Sequence, residues 1–109
     1  MSLREEQSAF VRDVVKLLAH AISSGYDVTF GEALRTPEQQ RFYVQAGRSQ
    51  TMQSNHLRKC AIDLNFFRNG ELTYDTPDLG AFWESLNPKN SWGGNWKSFK
   101  DKPHFERRP

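Results

Sequence analysis

Two short stretches, SNHLRKCAID and DKPHFE, hold residue types at spacings suited to metal-assisted hydrolysis. His56 and Asp63 stand seven residues apart. On one regular strand that odd separation would send them to opposite faces, so the backbone must turn between them if both are to reach one ion. Residues 57–60 leave room for such a turn before alternation begins at Ala61. A catalytic zinc site takes three protein ligands and keeps a fourth position open for water. The third ligand should be another histidine, and His20 and His104 are the two that remain of the chain's three. His20 lies in a helical stretch, where a surface or half-buried role is the ordinary one. Pro103 disfavours helix at Lys102, so DKPHFE reads as extended, with Phe105 in the core and His104 facing a cleft beside Glu106. Asp101, three residues before His104, is near enough to take a proton from an activated water. Taken singly, each piece has a plainer explanation. A His–Asp pair at a strand edge is usually a polar surface feature, and Asp101 stands among other charges in KSFKDKPHFE. The conjunction favours the chemical reading.

These residues need elements to position them. Residues 3–23 carry Leu3, Phe10, Val14, Leu17, Leu18, Ala21 and Ile22 at helical spacing. Ser2 and Glu5 fit a capping box, and Gly25 fits the stop. Residues 26–32 alternate as a strand, with Tyr26, Val28 and Phe30 on one side. Thr36 and Pro37 open a second helix that ends near Gly47, and residues 48–55 read as polar loop. Residues 61–67 alternate again. Ile62, Leu64 and Phe66 point to the core, while Ala61, Asp63 and Asn65 face outward or into a cleft. RNGE is a hairpin turn pattern, and residues 76–86 read as a third helix begun by Thr76 and Pro77. SWGGNWKSF reads as loop, and HFE as a last short strand. This order predicts an α+β fold: one domain over residues 1–109, a short antiparallel sheet flanked by about three helices, and the metal site in a cleft on the sheet.

Composition narrows the function. A chain of 109 residues suits one domain with a modest core, to which three Trp, three Tyr and eight Phe bring much of the buriable area. No apolar run approaches the roughly 20 residues of a membrane span, so membrane insertion is not expected. MSLREEQSAF lacks a basic-then-apolar leader, so the chain is expected in the cytoplasm until something releases it. A single cysteine, Cys60, rules out an internal disulfide and fits a reducing compartment. A net charge of +2 is too small to imply nucleic acid, but it favours an anionic polymer such as a bacterial wall.

The two stretches together carry a family resemblance. Residues 54–63 resemble the S-x-H-x-x-G-x-A-x-D motif of zinc D-alanyl-D-alanine carboxypeptidases and L-alanyl-D-glutamate endopeptidases. D-K-P-H resembles their second motif, an acidic residue three before the last histidine. WGGNWKSFKDKPHFE looks most like the compact endolysins of bacteriophages and prophages in that family. The resemblance implies one zinc ion held by His56, Asp63 and His104, with Asp101 as catalytic base. It implies that Arg35 steadies the carbonyl oxygen as it becomes negative, and that Ser54 hydrogen-bonds near metal or substrate. Plainer readings are a helix-flanking charge for Arg35 and a turn serine for Ser54. Trp92 and Trp96, beside paired glycines, could line a substrate cleft or simply fill the core.

The implied function is a catalytic peptidase domain that hydrolyses the L-Ala–D-Glu bond of the peptidoglycan stem peptide with a zinc-activated water. As an endolysin it would accumulate in the host bacterial cytoplasm as a monomer and reach the wall through a holin-type helper. A D-Ala-D-Ala carboxypeptidase or dipeptidase is the near alternative, since the motifs are shared. A non-catalytic wall-binding module is further off, because all three ligands and the acid are present. A cysteine peptidase built on Cys60 is further off too, because Cys60 precedes a strand rather than opening a helix. One departure stands out. The motif's glycine falls on Lys59, which implies a more ordinary backbone there, or strain.

Overall fold

Ser2 opens the fold as the sequence predicts. Its hydroxyl accepts the Glu5 amide, and the Glu5 carboxylate accepts the Ser2 amide. The computed structural model describes residues 1–32, 37–46, 55, 57–98 and 100–109. Helix α1 (Leu3–Ser23) ends just before Gly25, whose φ of 93° is a conformation glycine adopts at little cost. Phe10, Leu17 and Ala21 bury one face of α1, with Val14 and Leu18 packed against the same cluster. Leu3 and Ile22 share the periodicity but stay 50% and 64% exposed, so the apolar stripe is wider than the surface it covers.

Among the described residues five strands follow: β1 (Asp27–Phe30), β2 (Ala61–Arg68), β3 (Glu71–Thr73), β4 (Asn90–Trp92) and β5 (His104–Arg107). They form one sheet in the order β1-β2-β5-β4, with β3 paired to β2 and every pairing antiparallel. Two further helices are α2 (Pro37–Gln45) and α3 (Pro77–Leu86). Helices α1 and α3 pack on each other, α1 reaches β1 and β5, and α3 backs β4. The α+β expectation therefore holds. Of the helices expected to flank the sheet, α1 and α3 do so among the described residues.

Two strands were not anticipated. β3 completes a hairpin whose turn, Asn69 and Gly70, takes φ of 54° and 80°. Positive φ at both central residues is what an Asn-Gly turn supplies. β4 lies where the sequence reads as loop. Its three residues carry no alternation signal, and tertiary contacts form it. Ser91 and Trp92 pair with Glu106 and Phe105, and the Asn90 amide donates to the Asp13 carboxylate and the Trp83 carbonyl.

The core lies between sheet and helices. Leu17, Leu64, Leu79, Trp83 and Phe105 are all 0% exposed. Trp83 meets Phe10 and Phe105 edge-on, with ring centroids 5.7 and 6.0 Å away. Each such side chain contributes about 1.5–3 kcal/mol through burial. A buried ion pair ties α1 to β5: the Arg107 guanidinium donates to Glu6, which also accepts from Lys89. The Lys89 and Arg107 hydrogen bonds hold the Glu6 carboxyl below the usual carboxylate range. Among the described residues no helix is long and apolar enough to cross a membrane.

Of the two alternatives, an ordinary backbone or strain, the structure shows the second at Lys59. Its φ is 59°, so the backbone keeps a left-handed turn although lysine stands there. Left-handed backbone costs a non-glycine residue about 1–2 kcal/mol. Glycine's extra unfolded-state entropy offsets about 0.5–1 kcal/mol of that. Lys59→Gly is therefore expected to stabilise the fold by about 0.5–1 kcal/mol, a rise of roughly 2–8 °C in Tm. A thermal melt checks it, and a lower Tm would mean that the lysine side chain makes contacts worth more than the strain.

Candidate metal centre

Sheet register builds the centre. Asp63 on β2 and His104 on β5 are direct cross-strand partners. Alternation sends Ile62 and Leu64 into the core and leaves Asp63 on the opposite face. On β5 it sends Phe105 inward and puts His104 and Glu106 together on the face of Asp63. The Asp63 backbone is held on its other edge, donating to the Glu32 carbonyl at 2.7 Å and accepting from Gly31 N at 2.8 Å.

Asp101 arrives from the loop before β5. Its amide donates to the Gly93 carbonyl, and its own carbonyl accepts from His104 N, each at 3.1 Å. Gly93 permits this approach: a Cβ there would lie 2.1 Å from the Asp101 carbonyl oxygen. His104 Nδ1 then sits 3.2 Å from Asp63 Oδ1 and 3.9 Å from Asp101 Oδ2. One ligand atom from each of Asp63, Asp101 and His104 lies within 4.8 Å of the others. His56, Arg35 and Ser54 lie outside the described residues, so two of the three expected ligands, with the expected base, are seen to converge.

The donor set fits a divalent cation. His104 is 5% exposed, and its Nε2 lies 2.7 Å from Glu106 Oε1. A carboxylate only accepts, so Nε2 carries the hydrogen. In the neutral ring the Nδ1 lone pair then faces two carboxylates, an arrangement that calls for a proton or a cation between them. An imidazole nitrogen with carboxylate oxygens is a zinc-type set. Without a metal the proton is favoured. Burial opposes the imidazolium, but hydrogen bonds to Asp63 and Glu106 outweigh it and push His104 up to about 9. For Glu106, burial favours the neutral acid, but the His104 and Arg108 hydrogen bonds outweigh it and bring its carboxyl down to about 2.

The two tryptophans take different places. The Trp96 ring lies 5.1 Å from that of His104, half-buried, with its N–H donating to Ser91 Oγ at 3.0 Å. Trp92 is 5% exposed, and its N–H donates to the Lys102 carbonyl at 2.8 Å. Cβ atoms on Gly80 and Gly94 would come within 2.1 and 2.3 Å of its ring. Trp92 thus braces the loop between Asp101 and His104 from the core side. Cys60 is fully buried, and burial pushes its thiol up, away from the thiolate a nucleophile needs. His20 stacks on Phe82, 4.0 Å between ring centroids, apart from the cluster. Sequence reasoning gave Glu106 no role. The signal available was its period-two spacing from His104, which puts both side chains on one face of a strand.

Comparison with known proteins agrees with this geometry. An M15 peptidase family model, described as D-alanyl-D-alanine carboxypeptidase, matches residues 47–107. The chain is 36% identical over 100 residues to the L-alanyl-D-glutamate peptidase of Listeria phage A118, an alignment covering 84% of this chain. It spans about a third of that relative's length, 34%. The crystal structure of Serratia marcescens L-Ala D-Glu endopeptidase ChiX superposes with a TM-score of 0.70 at 28% identity, covering 95% of this chain and 84% of that one. With both motifs inside the matched span and Asp63, Asp101 and His104 converging on the sheet, the chain belongs to the M15 family of metallopeptidases.

Proposed function

We propose that this chain is a zinc peptidase that hydrolyses the L-Ala–D-Glu bond of peptidoglycan stem peptides. The convergence of Asp63, Asp101 and His104 on one face of the sheet carries the reading, in a chain whose similar proteins are named L-alanyl-D-glutamate peptidases. Zinc would be held by His56, Asp63 and His104. When bound, it supplies a Lewis acid that polarises the scissile carbonyl and makes water a nucleophile near neutral pH. Asp101 takes the proton of the attacking water and returns it to the leaving amine. Arg35 stabilises the developing oxyanion, and Ser54 orients substrate nearby. Trp96, beside His104, offers a flat wall against which a peptide can lie. The phage relative supports an endolysin role, in which a monomer made in the host cytoplasm reaches the wall through a holin-type helper.

The description of the matching family model favours a second reading, removal of terminal D-alanine. Mass spectrometry of fragments released from purified Gram-negative sacculi separates the two. Chelator is expected to abolish release and zinc to restore it, with L-alanine left on the glycan and a free D-glutamate amine on the fragment. Zinc-dependent loss of D-alanine alone would move the function to carboxypeptidase. No zinc-dependent product from folded, zinc-loaded protein would overturn both.

A further inference from the structure

The Glu106 carboxylate occupies both of its oxygens in specific work. Oε1 accepts from His104 Nε2 at 2.7 Å. Oε2 accepts from Asn55 Nδ2 at 2.8 Å and from Arg108 Nε at 2.7 Å. The residue is 5% exposed, and its main-chain carbonyl accepts the Trp83 indole N–H at 3.1 Å. The core thus holds its backbone while three donors hold its side chain. Asn55 immediately precedes His56 and starts the turn that ends at Cys60, its carbonyl accepting from Arg58 N and Cys60 N at 3.2 and 2.9 Å.

We propose that Glu106 is the positioning residue of this centre: it fixes His104 with the hydrogen on Nε2 and Nδ1 toward Asp63, and it anchors Asn55, the residue that precedes His56 in the sequence. The inference rests on the reading of the site as a zinc centre. An acceptor on the far ring nitrogen selects the tautomer and the ring plane before a metal arrives. The second oxygen makes the arrangement more than a local clip. It joins the β5 ligand to the 55–60 turn, segments far apart in sequence, across one buried carboxylate. Arg108, on the exposed side, supplies the charge that keeps that carboxylate an acceptor.

The test is zinc affinity of the purified full chain, by competition with a fluorescent chelator, together with the imidazole N–H spectrum of the zinc-loaded protein. Glu106→Gln keeps the shape but gives one arm a donor that faces Asn55 and Arg108 or His104. It is expected to weaken zinc binding by about 10–100-fold. The exchange-protected His104 Nε2–H resonance of the unaltered chain should be lost or strongly shifted. Asn55→Ala cuts only the tether; it is expected to weaken zinc several-fold and leave that resonance in place. Zinc affinity within twofold of the parent in Glu106→Gln would overturn the proposal, as would a loaded protein whose His104 hydrogen sits on Nδ1. If Glu106→Gln does not fold, Asn55→Ala decides by the same titration, a weakened affinity supporting the role and parity overturning it. No zinc uptake by the unaltered chain would overturn the zinc reading and this role together, whereas parent-like uptake by the variants overturns this role alone.

Discussion

Asp101→Asn is expected to lower kcat by about 10²–10⁴-fold, the range for loss of a positioned general base. The substitution is nearly isosteric and removes the negative charge and with it the ability to take a proton. The Asp101 main-chain bonds to Gly93 and His104 do not involve its carboxylate, so the loop stays in place. Its side chain is 44% exposed, so the fold loses little. Tm and zinc stoichiometry should therefore stay near those of the parent while turnover of a defined muropeptide collapses. Turnover within tenfold of the parent would move the base to another residue. A collapse accompanied by loss of zinc would make Asp101 a ligand instead, which its 3.9 Å from His104 Nδ1 makes a real alternative outcome.

Gly93→Ala should damage the same chemistry without touching a chemical group. A new Cβ at 2.1 Å from the Asp101 carbonyl oxygen meets backbone, not a flexible side chain, so the loop must move by about an ångström to restore ordinary contact. Overpacking of this kind costs about 1–3 kcal/mol. A displacement of about 1 Å at a catalytic group costs roughly 10²-fold in rate. Both effects are expected together, as a lower Tm and a kcat/KM at least 10²-fold below the parent. Gly25→Ala is the useful contrast. It has open space around it but a φ of 93°, so it should lower Tm while leaving kcat/KM alone. If Gly93→Ala melts early but keeps parent-like kcat/KM at low temperature, the loop does not depend on that close approach.

How legible these features were depended on how local their causes are. Helix α1 is written in periodicity and in Ser2 and Glu5, and the structure follows both closely. The strand over residues 61–68 is likewise local, because alternation alone separates Leu64 and Phe66 from Asp63. β4 was not legible, because Asn90, Ser91 and Trp92 become a strand only when β5 lies beside them and Asp13 receives the Asn90 amide. The Lys59 turn was left open between an ordinary and a strained backbone for the same reason. Its left-handed backbone is held where Asn55 O accepts from Cys60 N, not by any preference of lysine. At the centre, Asp63, Asp101 and His104 could be named from residue type and motif. Glu106 was placed beside His104 but given no role, because a carboxylate near a terminal arginine pair looks like a solvated charge until its bond to His104 Nε2 is seen. His56, Arg35 and Ser54 lie outside the described residues, so the sequence remains the basis for their roles.

Strand β5 looks two ways at once, and this bears on where the protein may be cut. His104 and Glu106 serve the metal side, while Arg107 reaches across to Glu6 near the start of α1. The family match begins at residue 47, yet the partner of Arg107 and the core residues Phe10, Leu17 and Ala21 lie upstream of it. The stretch that the family model matches therefore leaves part of its own core outside its bounds. Excised at residue 47, it would leave an arginine stranded in an uncovered apolar floor beneath the very strand that carries the chemistry. Grafting this module onto another scaffold means carrying the first helix with it, because Phe10, Leu17 and Ala21 complete the floor on which the chemistry stands.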